Sequence, residues 1–217
     1  MRSASRDDLN ARARIRDAAL TRFGKDGFGV SVRAIAEEAG VSPGLVIHHF
    51  GSKDKLRAVC DEHVRQVITD TKTASVVSHD PQGFLHTMSR YEEYAGVLGY
   101  IIRSIQSGGE LGRHLFEMMV VDAEGYLARG VEEGTIRPSR EPEKRARWLA
   151  ANSIGSILVL ISTSRPDAEI DFQRVLRDWQ REYMLPALEM FTEGLLTERT
   201  MLDAYLLYLG DPPEESH

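Results

Sequence analysis

The 217 residues include a single cysteine, Cys60. One thiol cannot build an intramolecular disulfide framework, so a packed core has to hold the fold and a reducing cytoplasm suits the chain. Long apolar runs are also missing. The longest nearly uncharged stretch, around Leu149 to Ile161, is too short and too rich in Ala, Gly and Ser to span a bilayer, so no membrane partner is expected. The start, MRSASRDDLNARAR, has basic residues without an apolar segment behind them, unlike a secretory signal. Strand-like alternation, internal repeats, long linkers and low-complexity tracts are absent; only the final DPPEESH reads as a disordered tail.

Catalytic and metal signatures are lacking too. HExxH, CxxC, GxSxG and Gly-rich phosphate-loop patterns do not occur, and pairs such as Glu92-Glu93 and Glu132-Glu133 read as solvated helix faces. His48, His49, Cys60 and His63 are the nearest approach to a metal cluster. Adjacent helical residues point about 100° apart, so His48 and His49 cannot easily share an ion. Neither an enzyme nor a metal or cofactor site is expected, and Cys60 reads as a small core residue.

What is present is an ordinary globular composition, 42% hydrophobic and 28% charged, in a chain long enough to bury a sizeable core. The net charge of −6 is unevenly shared. Residues 1–60 carry 11 Lys and Arg against 7 Asp and Glu, a net +4, and the remainder is −10. A basic head on an acidic body points the head at a polyanion.

The head has helical periodicity. Ile15, Ala18, Ala19 and Phe23 share one face of an Arg-rich segment that ends in FGKDGFG. Val32, Ile35, Ala36 and Ala39 follow, with Ser31 placed to cap that helix and Gly40 to stop it. Ser42 can then cap a two-turn helix with Pro43 in its first turn, which Gly51 closes. Ser52 caps a fourth helix, with Leu56, Val59, Cys60 and Val67 on one face. Two short helices joined by a tight Gly-containing turn make a helix-turn-helix, whose second helix enters the major groove. Pro43 and Gly44 let its start approach a duplex closely, and Lys53 is a point charge suited to a backbone phosphate.

FGKDGFGVSVRAIAEEAGVSPGLVIHHFGSKDKL resembles the N-terminal DNA-binding region of the TetR family of transcriptional repressors. The matching features are the G-F after the first helix, the I-A-x-x-A-G-V-S turn and F-x-S-K-x-x-L, which together span roughly residues 10–57. The resemblance implies that Ser42, Pro43, Gly44, Leu45, His48 and His49 lie on or near the reading helix. It places Ser31 and Arg33 at the start of the second helix, Lys53 at a phosphate, and Val46, Ile47 and Phe50 mostly in the small core. Ile47 stands where the family usually has a phosphate-binding tyrosine, a contact for which His48 or Lys55 is the replacement.

Beyond Pro81 the chain reads as helices over about 81–105, broken near Gly96–Gly99, then 109–133, 141–163 and 169–196, with turns at SGGE, GTIRPSREP and SRPD. TMLDAYLLYL suits a further short helix packed on the body. The expected architecture is all-α: a helix-turn-helix domain over 1–56 and an effector-binding and dimerisation domain over 57–217. The resemblance implies a variable helical body that dimerises and encloses a small-molecule pocket. Trp148, Ala151, Ile154, Gly155, Leu158, Val175, Trp179 and Tyr183 are candidates for a dimer face, forming a four-helix bundle across two copies. Met88, Tyr91, Tyr94, Tyr100, Phe116 and Met119 are candidates for the pocket, since Met and Tyr suit adaptable apolar sites. Arg103 and Asp122, charges among apolar residues, either hold a ligand group, pair with each other or face solvent.

The function expected is a cytoplasmic, homodimeric repressor that binds a near-palindromic double-stranded operator and is released by a small-molecule effector. The alternative is an effector-independent regulator or activator whose body is a filled core.

Overall fold

A computed structural model describes residues 2–74, 80–163 and 170–210; the SRPD turn and the terminal DPPEESH lie outside them. Its regular elements are all helical. They are α1 (Arg2–Asp26), α2 (Val32–Glu38), α3 (Pro43–Phe50), α4 (Lys53–Lys72), α5 (Pro81–Ser89), a 3-10 turn (Tyr91–Tyr94), α6 (Ala95–Gln106), α7 (Gly109–Glu132), α8 (Pro142–Thr163), α9 (Phe172–Thr192) and α10 (Thr200–Tyr208).

Local chemistry sets the short helices. The Ser31 hydroxyl accepts the Ala34 N–H, Ser42 accepts that of Leu45 and Ser52 that of Lys55, each at 3.2 Å. These bonds satisfy first-turn donors that have no partner within the helix. Gly40 (φ 64°) and Gly51 (φ 75°) end α2 and α3 in the left-handed region, which strains any residue with a Cβ.

α1 buries Ile15, Ala19 and Phe23 against Ile35 of α2, Val46 of α3 and Leu56, Cys60 and Val64 of α4. The same core runs on without interruption to Tyr100 and Ile101 of α6 and Leu115 of α7. Phe23, Phe28 and Tyr100 form an aromatic cluster with ring centroids 5.3 to 6.0 Å apart. Residue 56 is therefore no boundary in packing. The chain separates instead into two compact units, Met1–Asp178 and Trp179–His217.

The break expected near Gly96–Gly99 falls earlier, at Arg90 and the 3-10 turn that follows it. Gly99 does not interrupt α6; it lets α6 approach its neighbours. A Cβ on Gly24 of α1 would lie 3.0 Å from the Gly99 carbonyl carbon, and one on Gly99 would meet the Phe172 ring at 3.0 Å. Helical glycine costs about 1 kcal/mol relative to alanine, and here close packing offsets that cost.

A second cluster joins Val120, Ala123, Tyr126 and Leu127 of α7 to Ala146 and Ala150 of α8. Taken whole, α8 is 22 residues long and apolar enough, by length and composition alone, to cross a bilayer, which the shorter run Leu149–Ile161 did not suggest. Its Ala146, Ala150, Ile154 and Ile157 are buried, while Trp148 and Val159 face out.

In the second unit, Trp179 stacks on Tyr183 and Tyr205 on Tyr208, and Leu206 is buried. TMLDAYLLYL forms the short helix expected of it, α10.

Candidate nucleic-acid interface

The turn between α2 and α3 is tied by the Val41 N–H to the Ala36 carbonyl at 2.9 Å and the Gly40 N–H to the Glu37 carbonyl at 3.1 Å. With Val46 and Phe50 held in the core, α3 presents Ser42, Pro43, Gly44 and His48 to solvent and leaves Leu45 half-buried. Ser31, Arg33 and Lys55 are exposed on the flanking helix starts. A Cβ on Gly44 would meet nothing nearer than the Ser42 hydroxyl at 3.9 Å, so the space in front of it is open.

Three side chains depart from expectation. Ile47, assigned to the core, is 44% exposed, because α3 is too short to bury apolar residues on more than one stripe. It stands on the exposed side of α3 with Gly44 and His48. His49, expected among the readers, is turned away: its side chain is 5% exposed and Nε2 lies 3.7 Å from Asp8 Oδ1 of α1. Its place on α3, one residue from His48, faces α1 and not the open side. Lys53 donates to the carbonyls of Phe28 at 2.8 Å and Val30 at 3.1 Å. It locks the α1–α2 loop to the start of α4, which leaves one of its three N–H groups for a phosphate.

Arg12, which sequence reasoning passed over, holds α3 in place. Its guanidinium donates to the His49 carbonyl at 3.1 Å and lies 4.8 Å from the Phe50 ring centre. In the sequence it is one of several arginines in an Arg-rich helix, with nothing to mark it out.

α4 links this head to the body by named bonds. The Tyr100 hydroxyl donates to Asp61 Oδ1 at 2.5 Å, and burial together with that bond raises the phenol well above its ordinary range. Arg65 reaches Asp122 of α7 at 3.1 Å while chelating Glu62, and Arg129 donates to the Thr73 hydroxyl at 2.8 Å. Burial pushes the Cys60 thiol up to about 12, so it is inert at neutral pH.

The candidate pocket residues do not gather around one cavity. Tyr100 is fully buried and Met119 packs on the main core. Arg103 does not pair with Asp122, which is bonded to Arg65. It donates to the Gly24 and Lys25 carbonyls at 3.0 and 3.3 Å, capping the C-terminal end of α1. Met88, Tyr91 and Tyr94 sit apart, half-buried on α5 and the 3-10 turn. Only Phe116 of this set lines the groove of about 330 Å³ between the end of α6, the start of α7 and α8, with Ile105, Arg113, Ala151 and Leu158. Arg113 and Ile105 gave no distinguishing signal, since the groove arises where α6 and α7 meet at Gly112.

Two candidate dimer residues, Ile154 and Val175, are buried within their own chain. They lie on inward stripes; the outward stripe of α8 is Trp148, Ala151, Asn152 and Val159. Gly155, Leu158, Trp179 and Tyr183 are half-buried. Among the described residues no group of His, Cys, Asp and Glu is arranged to hold a metal ion.

A capped, glycine-bounded helix-turn-helix followed by a helical body defines a DNA-binding transcriptional regulator, a non-enzymatic class. Residues 15–60 match the family described as bacterial regulatory proteins of the tetR family, and residues 92–197 match the tetracyclin repressor-like C-terminal domain. The HTH-type transcriptional regulatory protein RaaS of Mycobacterium tuberculosis is 48% identical over 206 residues, 95% of each chain. The HTH-type transcriptional regulator BetI of Brucella melitensis biotype 2 is 34% identical over 102 residues, 42% of this chain and 52% of its own. A solved structure described as the molecular basis for control of antibiotic production by bacterial hormones shares the fold, with a TM-score of 0.56 at 22% identity over 82% of this chain and 95% of that one. The chain belongs to the TetR family of transcriptional regulators.

Proposed function

We propose that the protein is a cytoplasmic homodimeric repressor that places α3 of each copy in successive major grooves of a near-palindromic operator. In the simplest case the half-site centres lie about 34–36 Å apart, one helical turn. The observation that carries this reading is the free face of α3, where Ser42, Pro43, Gly44, Ile47 and His48 stand clear of the protein. Arg33, Lys53 and Lys55 supply phosphate contacts beside it, with Lys53 also closing the α1–α2 loop. His49 is not among the readers in this proposal, since Asp8 and α1 enclose it. The dimer face is the outward stripe of α8 carried by Trp148, Asn152 and Val159.

The ligand that releases the operator occupies the groove beside Phe116. Its lining is apolar apart from Arg113, so it fits a mostly apolar small molecule. Such a ligand acts by binding the non-DNA-binding spacing of the heads more tightly than the DNA-binding one. The bonds from α4 to Tyr100, Asp122 and Arg129 are the means by which a shift in α6 or α7 reaches the head.

Gly44→Leu tests the central claim, because Gly44 is exposed and a Cβ there meets nothing in the protein nearer than the Ser42 hydroxyl at 3.9 Å. Helix content and melting should be unchanged, while affinity for genomic fragments recovered with the parent protein should fall at least about tenfold, since the leucine meets the duplex. Undiminished binding would remove α3 from the groove.

A further inference from the structure

α3 carries none of the side chains that read most bases. In the major groove Arg and Lys hold guanine through O6 and N7, Asn and Gln hold adenine through N6 and N7, and Asp and Glu accept from the cytosine amino group. PGLVIHHF, the whole of α3, contains no residue of these six types. Its exposed side is Pro43, Gly44, Ile47 and His48. Pro43 and Ile47, one turn apart, share one row of the helix surface, and Gly44 and His48 share the next. The first row is wholly apolar. Gly44 adds no bulk beside it, since even a Cβ there would meet only the Ser42 hydroxyl, at 3.9 Å. The core does not call for Ile47, because Val46 and Phe50, 1% and 5% exposed, already seat the helix. Helix propensity does not favour it either: a β-branched side chain is a poorer helix former than Ala, Lys or Gln.

We propose that Ile47 is a specificity-determining residue that packs on the 5-methyl group of a thymine in each half-site. The inference rests on the reading of α3 as the groove helix given above. That methyl is the apolar group that unmodified base pairs present in the major groove, so it is the feature an apolar row can recognise. Contact removes apolar surface from water on both sides. Phosphate is the other surface a groove helix meets, and Ile47 has no donor for it. Ile47 stands where the family usually has a phosphate-binding tyrosine. At this position the chain therefore exchanges a backbone contact, blind to sequence, for one that distinguishes thymine. Arg33, Lys55 and the third N–H of Lys53 remain for the backbone. His48, in the neighbouring row, supplies the hydrogen-bonding side chain of this face.

The test uses the full chain and a genomic fragment that the parent protein retains. Deoxyuridine replaces thymidine one position at a time, which removes the 5-methyl group and leaves base pairing intact. In each half-site one position is expected at which the parent loses about fourfold in affinity, the worth of one buried methyl group. Ile47→Ala, checked for unchanged helix content, should bind the unmodified fragment more weakly by a similar factor and be indifferent to deoxyuridine at that same position. Its salt dependence should match the parent's, since no phosphate contact is lost, whereas Lys55→Ala should flatten the slope by about 0.9. A parent that ignores every deoxyuridine overturns the thymine contact while leaving α3 in the groove. So does an Ile47→Ala protein that keeps the parent's methyl sensitivity or shows a flattened salt slope. Undiminished binding by Gly44→Leu instead removes α3 from the groove, and the thymine contact falls with it.

Discussion

Residues 11–64 and residues 185–209 treat their apolar side chains in opposite ways. In the first stretch Ile15, Phe23, Ile35, Val46 and Leu56 are sealed into a common core, and the outward positions of α3 are small or polar apart from Ile47. In the second stretch only Leu206 among the large apolar residues is buried, while leucines, methionines, tyrosines and a phenylalanine face outward. The head is complete within one chain, and its open surface suits a hydrated polyanion. Residues 185–209 bury too few of their apolar side chains among themselves to make a sealed core of their own.

The sharpest way to break this comparison is a pair of truncations. Phe23→Ala removes a fully buried ring and should lower unfolding stability by about 3–5 kcal/mol, whereas Tyr208→Ala in the isolated subunit should change it by less than about 0.5 kcal/mol. Urea denaturation at a concentration too low for dimers would decide it, and similar losses for the two would erase the distinction.

A smaller effect separates crowded from open glycines. Gly99→Ala forces a methyl onto the Phe172 ring and should destabilise by about 1–3 kcal/mol despite alanine's better helix propensity. Gly125→Ala, on the exposed side of α7 with nothing within 4 Å, should stabilise by about 0.5–1 kcal/mol. Thermal melts of the two variants should shift in opposite directions.

The gentlest probe is pH. The Cys60 thiol is raised from 9.0 to about 12 by burial in the head core, so the folded state holds its proton where the unfolded state has lost it. Its contribution is complete below pH 9 and declines as pH rises toward 12, by at most about 1.4 kcal/mol per pH unit. Cys60→Ala should flatten that alkaline limb in denaturation curves recorded at pH 8 and pH 11. An unchanged slope would place the thiol in solvent.

Much of the head was legible because its signals are local. Ser31, Ser42 and Ser52 cap helices through bonds that reach only three residues ahead, and Gly40 and Gly51 act through their own backbone angles. Helical periodicity in the body was equally plain, but periodicity says that a residue is covered and not by what. Arg103 illustrates the gap: whether it met a ligand, Asp122 or solvent depended on where the end of α1 lies, 78 residues away. Ile154 and Val175 fell on the wrong side of their helices for the same reason, since a helix with apolar residues on more than one stripe can bury either.

The order of residues determined by itself the all-helical class, the caps and stops of α2 to α4 and the helix-turn-helix, because each depends on interactions within a few positions along the chain. Tertiary structure decided the rest. It withdrew His49 from the readers, committed two N–H groups of Lys53 to the α1–α2 loop and placed Tyr100 at Asp61 in place of a pocket. Those outcomes turn on side chains from distant segments meeting in space, where packing and desolvation select one among several locally acceptable arrangements.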